Sequence, residues 1–110
     1  MQIQKKEKYT LLIADESSFD EFYQSFLEKT ASLSNEHLIL NLSNFNSLNK
    51  KDFLLFLSIA DEKKENGTSF AIVNTVANVD EYPESFNIVP TITEAEDVLE
   101  MEAIERELGF

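Results

Sequence analysis

The stretch that decides the fold is HLILNLSNFNSLNKKDFLLFLSIADEKKENGTSFAIVN, residues 37–74. Its two ends, residues 37–42 and 68–74, are short apolar runs of the kind that form strands buried on both faces of a sheet. Between these runs Asn49 is placed to cap a helix, and Asn66-Gly67 is a typical signal for the end of one. A strand, a helix and a second strand in this order predict a parallel pair with a right-handed crossover.

The alternation continues on both sides of this unit. Two short segments before it, of which the second is apolar, predict an edge hairpin, and capping-box patterns at Ser18 and Thr91 predict the starts of two more helices. We expect strands at residues 2–6, 9–14, 37–42, 68–74 and 87–89 and helices near residues 18–33, 50–66 and 92–108. The polar stretch 76–85 is predicted to be a loop with one weak helical turn. Together these elements predict a single α/β domain over residues 1–110 with a mostly parallel sheet.

Composition narrows the classes of function. Apolar residues make up 43% of the 110 residues and include nine Phe, which is enough to build a substantial core. The formal net charge of −12 opposes binding to nucleic acids and anionic membranes, which depends on lysine and arginine. No signal-peptide pattern opens the sequence, and its longest apolar run, residues 53–57, is far shorter than a membrane span. We expect a soluble cytoplasmic protein whose partners are other proteins, although the charge also suits a role in solubility alone.

Residues for catalysis or cofactor binding are sparse. The chain has no Cys, one His and two distant Gly, which argues against a catalytic triad, a histidine-rich metal site and a glycine-rich phosphate loop. We interpret His37 as a residue satisfied at a strand start. Asp15 and Glu16 follow a predicted strand, as in phospho-receiver domains, but later strands supply neither the acceptor Asp nor the Lys of that site. We predict no enzyme activity, no metal and no cofactor, with an enzyme or small-ligand carrier as the third alternative.

From residue 37 onward the sequence resembles the STAS family of bacterial anti-sigma-factor antagonists. The similar segments are the strand LILNLSNF, the helix after it, the strand GTSFAIV, and IVPTITEA at the start of the last helix. Residues 1–36 match the family only in the order of elements. The resemblance implies a STAS-like sheet of four or five mixed strands with helices packed mainly on one side. It also implies protein–protein switching, in which an antagonist binds an anti-sigma kinase and phosphorylation of a Ser abolishes binding.

The chain departs from the family pattern where that Ser belongs. The pattern Asp-Ser-Ser-Gly is replaced by Asn49-Lys50-Lys51-Asp52, so no hydroxyl stands at the regulated positions. We expect no phosphorylation there, and Ser47 and Ser58 are the nearby hydroxyls that a displaced switch would use. Two lysines at the positive end of a helix dipole cost about 0.3–1 kcal/mol each. This cost indicates either a function for the pair or tolerated drift.

The predicted docking surface surrounds the start of the same helix. Leu54 and Leu55 fall outside its core-facing stripe, so they are either covered by neighbouring loops or exposed to a partner. The predicted partner-binding residues, joined by the loop after Asn74, are Asn46, Ser47, Asn49, Lys50, Lys51, Leu54 and Leu55. The leading hypothesis is an interaction domain that binds a kinase-like anti-sigma factor, another STAS protein or a second copy of itself. The alternative is a structural or assembly subunit that acts as an obligate homo- or hetero-oligomer.

The last helix has apolar residues on two faces. The first set shares one face, and the second lies on a face rotated from it by more than about 100°. The two sets are Ile92, Ala95 and Leu99, and Met101, Ile104 and Leu108. One straight helix cannot bury both sets against one sheet, so we expect the second set to contact another copy, a partner or the loop around Tyr82.

Overall fold

Each apolar run and each capping signal forms an element in the computed structural model, which describes residues 1–77, 79–83 and 86–109. The strands are β1 Gln2–Lys5, β2 Thr10–Ile13, β3 Leu38–Asn41, β4 Phe70–Val73 and β5 Asn87–Val89. The helices are α1 Phe19–Thr30, α2 Lys50–Leu54, α3 Leu57–Glu65 and α4 Ile92–Glu107, with 3₁₀ turns at Ala31–Leu33 and Val79–Glu81. The predicted α/β class is confirmed. A helical turn does occur within the stretch 76–85, of which positions 78, 84 and 85 lie outside the described residues.

The five strands form one sheet in the order β1-β2-β3-β4-β5. β1 pairs antiparallel with β2 as an edge hairpin, and the other three pairs are parallel. The register aligns Leu12, Leu40, Ile72 and Ile88 in one row across four strands. The predicted mixed sheet is therefore confirmed, with five strands.

The helices lie on both faces of this sheet. α1, α2 and α3 cover the face that carries the row from Leu12 to Ile88, and α4 covers the opposite face, over Leu11, Ile39 and Ala71. Parallel crossovers share one hand and the strand order here never reverses, so every crossover falls on the same face. Only the terminal helix is free to cover the other face. The expectation of helices mainly on one side is thus confirmed, with α4 as the exception.

The larger core is aromatic because α1 and the α2–α3 segment both carry Phe at helical spacing. Phe22, Phe26, Phe53 and Phe56 are almost completely buried. Phe26 and Phe56 meet edge to face with ring centroids 5.4 Å apart, an arrangement that suits the quadrupoles of the two rings. This contact joins the two crossovers into one layer over the sheet.

The helix predicted over residues 50–66 is broken in two. Leu55 and Phe56 form a tighter turn, in which their N–H groups donate to carbonyls three residues back, those of Asp52 and Phe53. A 3₁₀ turn brings residues three apart onto the same side. The turn continues the side that an α-helix already gives to residues three apart, so Phe53 and Phe56 both enter the core and Leu54 and Leu55 remain at the surface.

α4 buries only one of its two apolar sets. Ala95 and Leu99 pack against the sheet, whereas Met101, Ile104 and Leu108 are 62%, 49% and 66% exposed. Of the three contacts expected for this second set, the one with the loop around Tyr82 is wrong, and contact with another copy or a partner stays a prediction. Tyr82 packs on the other face of the sheet, with its ring centroid 5.9 Å from that of Phe53 and 5.7 Å from that of Phe86.

Candidate protein-interaction surface

Two asparagines organise the loops at the carboxyl edge of the parallel strands. Asn44 Nδ2 donates to the carbonyl of Ala14 at 2.5 Å, which ties the loop after β3 to the end of β2. Nδ2 of the buried Asn74 donates to the carbonyls of Leu42 and Phe45, both at 2.9 Å. These bonds hold the loop before α2 beside the loop after β4. The two loops that were predicted to form one surface are therefore neighbours.

Asn49 and Asp52 form a complete capping box at the start of α2. Asn49 Oδ1 accepts from the N–H of Asp52 at 3.1 Å, and Asp52 Oδ2 accepts from the N–H of Asn49 at 3.0 Å. Such a box satisfies backbone donors that a helix start otherwise leaves unpaired. The side chain of Asn49 is thus engaged in holding the helix start. The carboxylate of Asp52 in the first turn also offsets the two lysines that precede it.

We call the predicted partner-binding residues the α2 surface: Asn46, Ser47, Asn49, Lys50, Lys51, Leu54 and Leu55. All seven are exposed, and the two leucines are 37% and 43% exposed. Lys50 stands four residues before Leu54 and Lys51 four before Leu55, so each lysine lies beside a leucine along the helix. Of the two alternatives for these leucines, exposure is correct and coverage by loops is wrong.

The side chains of the two lysines are exposed. Neither Lys50 nor Lys51 forms an ion pair with any residue in the described ranges. Burial raises the pKa of Tyr82, and the carboxylates of Glu81 and Asp52 raise it further. Lys50 and Lys51 therefore form a small exposed basic site on a chain of net charge −12.

Side chains near the α2 surface show no arrangement for nucleophilic catalysis. Ser47 and Ser58 are exposed, and within the described part of the chain neither has a hydrogen-bonded base. Asp15 hydrogen-bonds the Met1 α-amino group at 2.6 Å, which lowers the pKa of this carboxyl. Over the same residues we find no cluster of acidic and histidine side chains suited to a metal ion and no helix long and apolar enough to cross a bilayer. The absence of enzyme activity, metal and cofactor stays a prediction.

A cleft lies at the opposite, amino edge of the parallel strands, between α3 and α4. Its volume is about 590 Å³, and its apolar lining includes Leu57, Phe70 and Met101. Arg106 borders the cleft, and its Nη1 donates to Ser69 Oγ at 3.0 Å. The lining residues come from α3, β4, β5 and α4 and from the segment before β4, so no local motif in the sequence indicates this cleft.

His37 lies at the same amino edge. Its Nδ1 accepts from the N–H of Ser69 at 2.9 Å. Burial lowers the pKa of His37, and the nearby charges of Arg106 and Lys63 lower it further. The interpretation of His37 as a satisfied residue at a strand start is confirmed.

Comparison with known proteins assigns neither a family nor a function to the chain. No protein-family model matches the chain, and no curated protein matches it. The function must therefore be inferred from the residues and their geometry.

Proposed function

We propose that the chain is a non-enzymatic protein-interaction domain of the anti-sigma-factor antagonist type that binds its partner through the α2 surface. The observation that carries this proposal is a pair of exposed leucines beside two lysines that have no ion-pair partner in the described residues. Interfaces use this combination because burial of apolar anchors supplies affinity, whereas charges at the rim steer association and select the partner.

The STAS resemblance supports the same surface. It aligns the family's regulated Ser positions with Lys50 and Lys51, directly after the residue that caps α2. The order of strands and helices agrees with the order that the resemblance implies. Because a lysine offers no hydroxyl to a kinase, binding through this surface is not switched off by phosphorylation at these two positions. The lysines instead pair with an acidic feature of the partner, a kinase-like anti-sigma factor or a second STAS protein.

Charge reversal of the lysine pair tests the surface. The double variant Lys50→Glu, Lys51→Glu is compared with the wild type by quantitative capture from the source cells. Each protein whose recovery falls is purified and titrated by calorimetry. We expect the complex to weaken by about 1 kcal/mol or more, roughly a fivefold loss of affinity. Thermal stability should not fall, because both side chains are exposed and glutamates suit the positive end of the helix dipole.

The matched control is the double variant Lys6→Glu, Lys8→Glu. Both of these lysines are exposed on the β1–β2 hairpin, and the change in net charge is the same. A further double variant, Leu54→Gln, Leu55→Gln, removes the anchors at constant charge and should weaken the same complex. If the two lysine variants bind every captured protein with equal affinity, the α2 surface is not the docking site.

A further inference from the structure

The outward face of α4 carries an apolar stripe that the described residues leave uncovered. Met101, Ile104 and Leu108, the α4 stripe, are the exposed set of this helix. They are spaced three and four residues apart, like the a, d and a positions of a heptad, so they fall in one line over two helical turns. Ala95 and Leu99, which face the sheet, lie on the opposite side of the helix. The stripe is therefore directed away from the sheet.

The α4 stripe adjoins the cleft between α3 and α4. Met101 borders both, and beyond it the cleft of about 590 Å³ is lined by Leu57, Phe70 and Val98. A line of apolar contacts beside a cavity of this kind offers a partner both a packing surface and a pocket for one larger side chain.

The flanks of the α4 stripe are acidic on both sides. With Met101 at position a, Glu105 is the e residue and Glu100 and Glu107 are g residues. All three are exposed, and no ion pair holds them within the described chain. These positions set the choice of partner in helix pairs, because they face the flanks of the opposing helix.

The acidic flanks argue against a second copy of α4 as the occupant. A parallel pair would set Glu100 of one copy against Glu105 of the other. An antiparallel pair would set e positions against e positions and g positions against g positions, which again brings glutamates together. In both cases carboxylates would face carboxylates, and the repulsion between them disfavours pairing of two copies. The flanks instead complement lysine and arginine.

We propose that the α4 stripe with its acidic flanks binds an amphipathic helix of another protein, one whose own flanks are basic. The partner helix lays its apolar face along Met101, Ile104 and Leu108 and sets lysines or arginines against the three flanking glutamates. The α2 surface belongs to the layer on the other face of the sheet. The two proposals therefore concern different surfaces and are tested by different variants.

A designed peptide serves as the probe. It has about 21 residues, three heptads, with Leu at a and d and Lys at e and g, and like charges keep it from pairing with itself. Binding to the full chain is followed by fluorescence anisotropy at low salt. We expect saturable one-to-one binding that is weakened about tenfold or more by Ile104→Gln. The matched control is Leu27→Gln, which replaces an exposed leucine on α1 and should leave peptide binding unchanged.

Two further measurements test whether the peptide binds at this surface or is attracted to the acidic chain as a whole. The same peptide with Glu at e and g should not bind, and Glu100→Lys, Glu105→Lys should weaken binding of the lysine peptide. Circular dichroism confirms that each variant is folded. Equal binding of the wild type and Ile104→Gln would overturn the proposal. Sedimentation showing a wild-type dimer that Ile104→Gln dissociates would also overturn it, because a second copy would then be the occupant.

Discussion

Lys63 is a buried lysine that links α3 to the segment between α1 and β3. It lies in α3, is only 3% exposed, and its Nζ donates to the carbonyls of Leu33 and Glu36, the latter at 2.6 Å. These carbonyls belong to the 3₁₀ turn after α1 and the segment that leads into β3. Replacing Lys63 by Met should therefore lower the free energy of unfolding by about 2–4 kcal/mol, although no core residue is removed.

The magnitude follows from what Met keeps and what it loses. Met is unbranched and of similar length, so the packing of the aliphatic stem persists. The two carbonyls lose a charged donor, and hydrogen bonds to charged groups contribute about 1.5–3 kcal/mol each. Burying the ammonium opposes this gain, and the same burial lowers the pKa of Lys63. A net loss of about 2–4 kcal/mol remains after this desolvation is subtracted.

Urea unfolding followed by circular dichroism measures the change. Lys64→Met is the matched control, because Lys64 is adjacent in sequence but exposed. This control should alter the free energy of unfolding by less than about 0.5 kcal/mol. If Lys63→Met also changes the free energy of unfolding by less than about 0.5 kcal/mol, the two carbonyls do not depend on the lysine and the prediction is wrong.

The lowered pKa of Lys63 also gives the effect a pH dependence. The folded chain binds this proton less tightly than the unfolded chain, whose lysine has the ordinary pKa of 10.5. Between the two pKa values the unfolded state holds more protons, so the free energy of unfolding of the wild type rises with pH across that interval. The Met variant lacks this rise. The difference in stability between the two proteins should therefore grow as the pH approaches 10.5.

Two other predictions concern the edges of the sheet. Asn74→Ala removes the bonds to the carbonyls of Leu42 and Phe45 and should lower the free energy of unfolding by about 2–3 kcal/mol in urea. The exposed Asn35→Ala should change it by less than about 0.5 kcal/mol, and equal effects would show that the loops do not depend on Asn74. The lowered pKa of His37 predicts a loss of stability in mild acid, because the unfolded chain takes up this proton first as the pH falls below about 6.5. Between about pH 7.5 and 5.5 the melting temperature should fall less for His37→Asn than for the wild type. Equal falls would show that His37 is not the group responsible.

Local signals explain why the helices and strands could be predicted from the sequence. Ser18, Asn49 and Thr91 each accept a hydrogen bond from the N–H three residues on, and each precedes a helix. Such bonds involve neighbours in sequence, so a short pattern is enough to predict them. The four apolar runs that form β2 to β5 likewise become strands because their burial pattern is set within each run, whereas β1 is polar and exposed.

The candidate site was predictable only in part. The residues of the α2 surface adjoin one another in sequence, so their proximity follows from the chain itself. Their spacing places Leu54 and Leu55 outside the core-facing stripe, but whether loops cover them did not follow, because that depends on contacts between segments distant in sequence. The turn that breaks the helix did not follow either.

By itself the sequence determined the order of strands and helices, their capping, and the acidic character of the chain. The tertiary structure decided that α4 covers the second face of the sheet, that Lys63 is buried while its neighbour Lys64 is exposed, and that a cleft forms between α3 and α4. The physical reason is the range of the interactions. Lys63 is buried because its ammonium meets carbonyls 30 and 27 residues away, and no pattern within one helix distinguishes it from the next lysine.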